Sequence, residues 1–211
     1  MTGRIETTNY KKYLHDNINS AYLLVSIRLR HSPQATQPAL LLVLIKGKHM
    51  PQQSFQDYYP DYFAHCFGCG KLNEDGHQIK SYWDGDESVC HFMPKPYHIA
   101  IPGYVYGGLL ASLIDCHGTG TAAAAMYKSL KEQDPNAEPN TRFLTASLHV
   151  DYLKPTPLGV ELEVRGKVKQ HSGRKVVIEE WILANGIITV RGEVVAVQVP
   201  ESMVEELLKG K

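Results

Sequence analysis

Residues 102–120 read PGYVYGGLLASLIDCHGTG: a Pro-Gly step, a paired-glycine turn at Gly107 and Gly108, then an apolar run with one carboxylate, Asp115, in its middle. The spacing predicts a helix from Gly107 to about Leu130, closed by Asp134-Pro135 and Glu138-Pro139. Its first part is rich in small residues (Ala111, Ser112, Gly118, Gly120, Ala122 to Ala125), and it is apolar on most sides. Such a helix is buried, and other elements must surround it. Asp115 is then expected to be a buried, unpaired charge. That arrangement costs several kcal/mol, and catalysis is a reason to carry it.

The residues after the helix supply the wrapping. Leu144, Ala146, Leu148, Val150 and Tyr152 alternate with Thr145, Ser147, His149 and Asp151, the period of a strand with one buried face. Three further strands are expected over Val160–Val168, Lys175–Ala184 and Ile187–Val199, with turns at Ser172-Gly173 and Asn185-Gly186. Before the helix, two strand-like runs within Gln78–Met93 flank Asp84-Gly85, a type I′ hairpin signal. Prolines 94, 96 and 102 argue against regular structure between that hairpin and the helix. Glu201 to Lys209 reads as a short terminal helix. Two strands, a long helix and four strands in a meander define an α+β fold, an antiparallel sheet curled around a central helix.

Residues 1–55 have short apolar patches without a sustained period, and read as an N-terminal extension, weakly packed or spurious, with an added helix or cap as the alternative. Met50 is a candidate start of translation. Residues 56–211 form the patterned domain. The longest apolar runs, Ala39 to Ile45 and Ala21 to Val25, fall far short of the roughly 18 residues a membrane span needs. With 22 basic and 22 acidic residues in 211, no global field argues for nucleic acid or an anionic membrane as partner. Four cysteines without a secretion signal suggest free thiols and a cytoplasmic location.

Two smaller signals are ambiguous. Cys66-Phe67-Gly68-Cys69-Gly70 has the spacing of half a zinc site, but a second pair of ligands is missing: Cys90 and His91 point to opposite sides of a strand, and Cys116 belongs to the central helix. A structural Gly-rich turn is therefore expected, ahead of zinc or redox chemistry, and no metal is assigned. His98, in the loop leading to the helix, is either structural or part of the substrate site.

The paired glycines suggest a mechanism. The first N–H groups of a helix have no partner within it and carry partial positive charge. Gly107, lacking a side chain, allows a carbonyl to approach, so an oxyanion hole forms there. Asp115 then serves as nucleophile or general base. Eight residues at 1.5 Å rise separate the two by about 12 Å, whereas both must lie about 3 Å from one carbonyl. The pair in any one site must come from two subunits, which predicts an obligate dimer.

Cys66-Phe67-Gly68-Cys69-Gly70 with Asn73 and Gly76, then Pro102-Gly103, Gly107-Gly108 with Asp115, Thr145 to Tyr152 and Lys154-Pro155 together resemble the hotdog-fold acyl-CoA thioesterases, PaaI-like branch, of the 4-hydroxybenzoyl-CoA thioesterase superfamily. The resemblance covers about Phe63 to Pro200. It implies hydrolysis of an acyl-CoA thioester, with sites between subunits of a homodimer or homotetramer and no cofactor beyond the coenzyme A of the substrate. In that family a carboxylate nine positions after the His of a His-Gly-Gly motif is the nucleophile or base, and the first glycine's N–H binds the thioester oxygen. Asp115 and Gly107 match these positions, with Gly108 as the second glycine. Tyr106 stands in place of the His, and Cys116 stands where this branch often has Glu. Thr145 and Ser147 are implied to line the acyl pocket together. Lys154, Arg174 and Lys175 are candidates to meet the coenzyme A phosphates. The alternatives are a non-catalytic acyl-CoA-binding dimer, suggested by Tyr106, and a hotdog hydratase or dehydratase, suggested by His91-Phe92 and Pro102-Gly103.

Overall fold

The computed structural model describes residues 22–28, 40–46, 53–139 and 141–209. The chain divides into two units, residues 1–51 and 52–211. In the first, β1 (Tyr22–Arg28) and β2 (Leu40–Lys46) pair antiparallel, Tyr22 opposite Lys46. The described part of the extension is thus a strand pair, not a helix; Met50 lies outside the described residues. The second unit begins at residue 52 rather than 56. Ser54 and Phe55 are buried in it, and the Phe55 ring lies 5.1 Å from that of Trp83.

The second unit is built on α1 (Gly107–Gln133), a helix buried along most of its length from Leu109 to Ala124. A six-stranded antiparallel sheet wraps it: β3 (Ser81–Asp84), β4 (Glu87–Phe92), β7 (Phe143–Tyr152), β8 (Leu162–Ser172), β9 (Lys175–Ala184) and β10 (Ile187–Gln198), in the order β3-β4-β8-β9-β10-β7. This is the α+β architecture the sequence predicts. The meander is confined to β8, β9 and β10: β7 crosses to the far edge and pairs with β10. Leu109, Leu113 and Ile114 of the helix meet Val164, Ile178, Ile182, Val190 and Val194 of the sheet, all buried. Burying such a side chain stabilises the fold by about 1.5–3 kcal/mol.

Local chemistry explains the connections. Asn185 (φ 52°) and Gly186 (φ 74°) both take the left-handed region, the I′ pattern expected there. Between β3 and β4 the loop residues are Gly85 and Asp86, and only Gly85 has positive φ (66°), which fits a II′ turn instead of the I′ turn expected. The proline-rich loop is not wholly irregular. It contains β5 (Ile99–Ile101) and β6 (Tyr104–Val105), which fit between the prolines and turn at Gly103 (φ 87°). α2 (Glu201–Lys209) ends the described chain. No helix among the described residues is long and apolar enough to cross a membrane.

The glycines that matter most lie under α1. Gly166 and Gly192 flank Glu180 on the two neighbouring strands. A Cβ at Gly192 would fall 2.5 Å from Ile114, and one at Gly166 would fall 2.8 Å from Ser88. These gaps let the helix settle close to the sheet.

Candidate active site

The helix begins without a side-chain cap. Tyr106 is the N-cap residue, extended at φ −62°, ψ 128°; its carbonyl accepts from Leu109 N–H at 3.1 Å, but its side chain caps none of the first-turn N–H groups, which also have no acidic neighbour in that turn. Its ring, 58% exposed, folds back over Gly108, where a Cβ would meet it at 2.4 Å. At Gly107 a Cβ would lie 3.5 Å from the Tyr152 ring, an ordinary contact. Packing within the protomer therefore has room for a methyl group at 107, whereas one at 108 would have to displace the exposed Tyr106 ring.

A cleft of about 470 Å³ lies against this turn, lined by Ile101, Tyr104, Gly107, Leu110, Tyr152 and Lys154 among others. That volume is within the range of small-molecule pockets. Its walls are tied by main-chain bonds: Val105 N–H to Thr156 O at 2.9 Å and Leu158 N–H to Gly103 O at 2.9 Å. The N–H groups of Leu153 and Lys154 both donate to Thr189 O, at 2.9 and 3.1 Å. Thr189 is the extra residue of a bulge in β10, which turns its carbonyl to this task. Tyr152 Oη donates to Gly107 O at 2.9 Å, a contact that the alternation of β7 did not single out.

Asp115 is elsewhere on α1 and does not line the cleft. It is half-buried and accepts a short hydrogen bond from Thr145 Oγ1, so the expected buried, unpaired charge is corrected to a partly exposed, paired one. The buried carboxyl is Glu180 on β9, fully enclosed, with neither oxygen hydrogen-bonded in the described structure. Gly118 makes room for it, since a Cβ there would fall 2.6 Å from Glu180 Oε2. Burial, and then the charge of Asp115, push the Glu180 pKa well above the usual carboxylate value. Nothing in the alternation of β9 distinguishes Glu180 from the exposed Glu179 beside it.

Thr145 and Ser147 do not share a face of β7. Ala146 is an extra residue in β7 against β10, so Thr145 pairs with buried Ala196 while Ser147 pairs with the half-buried Val195. Directly opposed residues share a face; Thr145 thus faces the helix, and Ser147 faces away.

His98 reaches the turn through its backbone: Tyr106 N–H donates to His98 O at 2.9 Å. Its ring stacks on Phe92 and accepts from Lys95 N–H at 3.1 Å, in a separate pocket shared with His77. Burial, then the nearby Lys95, lower its pKa. Lys154 joins Gly107 in the cleft, but Arg174 and Lys175 do not. Lys175 pairs with Val197 of β10, whereas Tyr152 pairs with Val190, about 23 Å along the strand. Arg174 donates to Gln198 O at 2.6 Å.

Comparisons with known proteins place this geometry. A family model described as the Thioesterase superfamily matches residues 102–180, from the Pro-Gly step into β9. A solved thioesterase superfamily protein from Shewanella loihica PV-4 is 48% identical, with a TM-score of 0.51, covering 66% of this chain and 98% of its own. A second solved thioesterase superfamily protein is 25% identical, with a TM-score of 0.51, over 64% of this chain and 63% of its own. Acyl-coenzyme A thioesterase THEM4 of Xenopus laevis is 38% identical over 88 residues, 42% of this chain and 33% of the relative. The Bos taurus THEM4 is 28% identical over 94 residues, 44% and 32%. The chain thus spans about a third of the length of the curated relatives it matches. The near-complete coverage of the Shewanella protein, on the same helix-and-sheet frame, shows that the chain is a hotdog-fold member of the thioesterase superfamily.

Proposed function

We propose that this chain hydrolyses an acyl-CoA thioester to a free carboxylic acid and coenzyme A, as a homodimer that builds each site from two subunits. The observation that carries the reading is the separation of its two chemical parts. Gly107 lines a cleft with Lys154, while Asp115, two helical turns away, is held by Thr145 outside that cleft.

The edge strand β7 offers a way to join them. Its outer edge is unpaired among the described residues, and Leu144, Leu148 and Tyr152 are exposed. An edge of that kind is a template for a second chain. Antiparallel pairing of two β7 strands about a two-fold between Leu148 and His149 sets Thr145 opposite the partner's Tyr152. Asp115 then faces the partner's Gly107. The same operation carries the partner's Arg174 and Lys175 hairpin toward the Gly107 end, where Lys154 already lies. This two-fold accommodates a dimer alone or as part of a tetramer.

The thioester oxygen is received by the Gly107 N–H, which stabilises the charge that develops on it. Asp115 attacks the carbonyl carbon to give a mixed anhydride, which water then hydrolyses to the free acid and the restored carboxylate, or it takes the proton of a water that attacks the carbonyl directly. The C–S bond breaks, and coenzyme A leaves as a thiolate that recovers a proton. Thr145 orients the carboxylate. Coenzyme A enters as part of the substrate, and the reaction draws on no other cofactor. The four free thiols of the described residues fit a reducing cytoplasm.

A panel of short, long and aromatic acyl-CoAs, assayed for thiol release, tests the activity. Asp115→Asn is expected to lower kcat by about 10²–10⁴-fold; unchanged hydrolysis sinks the assignment. Mixing that variant with a Gly107→Trp chain is expected to restore activity through one intact site per mixed dimer. No recovery despite proven subunit exchange counts against the two-subunit geometry. Tight acyl-CoA binding without thiol release would instead favour a binding dimer, a reading suggested by the Tyr106 ring lying over the turn.

A further inference from the structure

Cys66, Cys69 and Cys116 bring their sulfurs within 4.8 Å of one another, although Cys116 lies on α1, fifty positions from Cys66. The expectation that the helical cysteine stands apart from the Cys-x-x-Cys turn is thereby corrected. From these residues we infer a metal site of three thiolates for a borderline-soft divalent cation of the zinc class, with the guanidinium of Arg142 balancing its charge.

The geometry suits such an ion. Four ligands at about 2.3 Å in a tetrahedron place neighbouring sulfurs about 3.8 Å apart; Cys66 Sγ and Cys116 Sγ are 3.7 Å apart. The turn is shaped around the helical thiol. A Cβ at Gly68 would lie 2.2 Å from Cys116 Sγ, so only glycine lets the loop close over it. At Gly70 a Cβ would fall 2.5 Å from Ala64 O and Cys66 N, and Gly70 N–H donates to Cys66 O at 2.8 Å. The two glycines thus do separate work: one admits the third sulfur, and the other tightens the turn that presents the first two.

Charge is the second, independent observation. Arg142 is 8% exposed. Its Nη2 donates to Cys69 Sγ at 3.3 Å, its Nη1 has no partner in the described structure, and its guanidinium lies 4.0 Å above the Tyr59 ring. The groups that interact with it most are Tyr59, Cys69 and Cys66, and among the described residues it makes no salt bridge. A buried cation without an anion is costly. Three thiolates on one divalent ion carry a single net negative charge, equal and opposite to that of Arg142. Binding releases the thiol protons to solvent. The buried Tyr59 hydroxyl also has no hydrogen-bond partner in the described structure. An ion here pins the 66–70 loop to α1 one residue from Asp115, and so fixes the helix rather than taking part in bond breaking.

The test uses the full chain, reduced and stripped of metal by a chelator, and titrated with Co²⁺ alone. One equivalent per chain is expected, with a sulfur-to-cobalt charge-transfer band and the visible bands of a tetrahedral site, both bleached when Zn²⁺ displaces the cobalt. Cys69→Ser and Cys116→Ser should lose the charge-transfer band, and Cys90→Ser, a buried thiol outside the cluster, should keep it. Arg142→Met should weaken binding by about tenfold, as loss of an outer partner of a ligand does. If the serine variants do not fold, the wild type still decides: Zn²⁺ should protect Cys66 from iodoacetamide, read by mass mapping. No band at stoichiometric Co²⁺ overturns the site, as does a band that persists in Cys116→Ser or alkylation of Cys66 unaffected by Zn²⁺.

Discussion

Gly107 separates folding from chemistry in a single atom. The protomer has room for a methyl group there, 3.5 Å from the Tyr152 ring, so Gly107→Ala is expected to leave stability within about 0.5 kcal/mol of wild type. In the proposed mechanism the same methyl would stand where the thioester oxygen arrives, and a displacement of about 1 Å at a reacting centre costs about a hundredfold in rate. Steady-state kinetics with any accepted acyl-CoA, beside a thermal melt, checks both halves. A collapse of the melting temperature would show that Gly107 serves packing instead. Gly108 behaves oppositely: its methyl would fall 2.4 Å from the Tyr106 ring, and that exposed side chain must swing away.

At the scale of elements, a buried histidine stitches the first hairpin to the helix. His117 exchanges hydrogen bonds with Ser81 of β3 and Ser88 of β4, each at 2.9 Å, and Ser88 also bonds Thr121 Oγ1 at 2.6 Å. Ser88→Ala leaves a buried ring nitrogen and a hydroxyl short of a partner, so a loss of about 1–3 kcal/mol is expected in urea unfolding; no change would mean that the network contributes nothing. The helix, all six strands of the main sheet and the terminal helix were legible because each follows a one-dimensional rule of period or capping. The candidate pair Gly107 and Asp115 was chosen from the turn and from a charge that the structure shows to be partly exposed and paired with Thr145. The thiol cluster, Glu180 and the Thr189 carbonyl were not legible, because each depends on which segments distant in sequence the fold brings together. Periodicity also misled at β7. Its alternation runs correctly from Leu148 to Tyr152, but the bulge at Ala146 reverses the faces before it, and no local composition marks that residue.

At the scale of the whole molecule, two of the buried titrating groups among the described residues, Glu180 and His117, act in opposite directions. Glu180, its pKa raised mainly by burial and further by Asp115, holds its proton in the fold above pH 4.5, where the unfolded chain has released it. Stability therefore falls as pH rises through that window, by about 1.4 kcal/mol per pH unit. His117, depressed to about 3 by burial, stays neutral in the fold, and its contribution is lost as pH falls below 6.5. Between pH 4.5 and 6.5 the two slopes oppose each other. Glu180→Gln should remove one of them, so that its stability rises with pH there relative to wild type; parallel curves for the two proteins would refute the assignment. Assembly is tested at the same scale. Leu148, 39% exposed, lies beside the proposed two-fold, and Leu148→Asp should yield folded, inactive monomers by light scattering, whereas active monomers would remove the need for a partner.

The extra residue Ala146 also bears on how this strand tolerates insertion and deletion. Removing Ala146 would bring β7 into uninterrupted alternation with Thr145 and Leu148 two positions apart, so that both would keep the face they share now. A single-codon loss at this alanine would thus keep the hydroxyl on the side of the carboxylate, whereas regular pairing with Ala146 still in place would turn it away. Insertion and deletion scanning across residues 143–152 would detect this phase sensitivity where an alanine scan is blind to it.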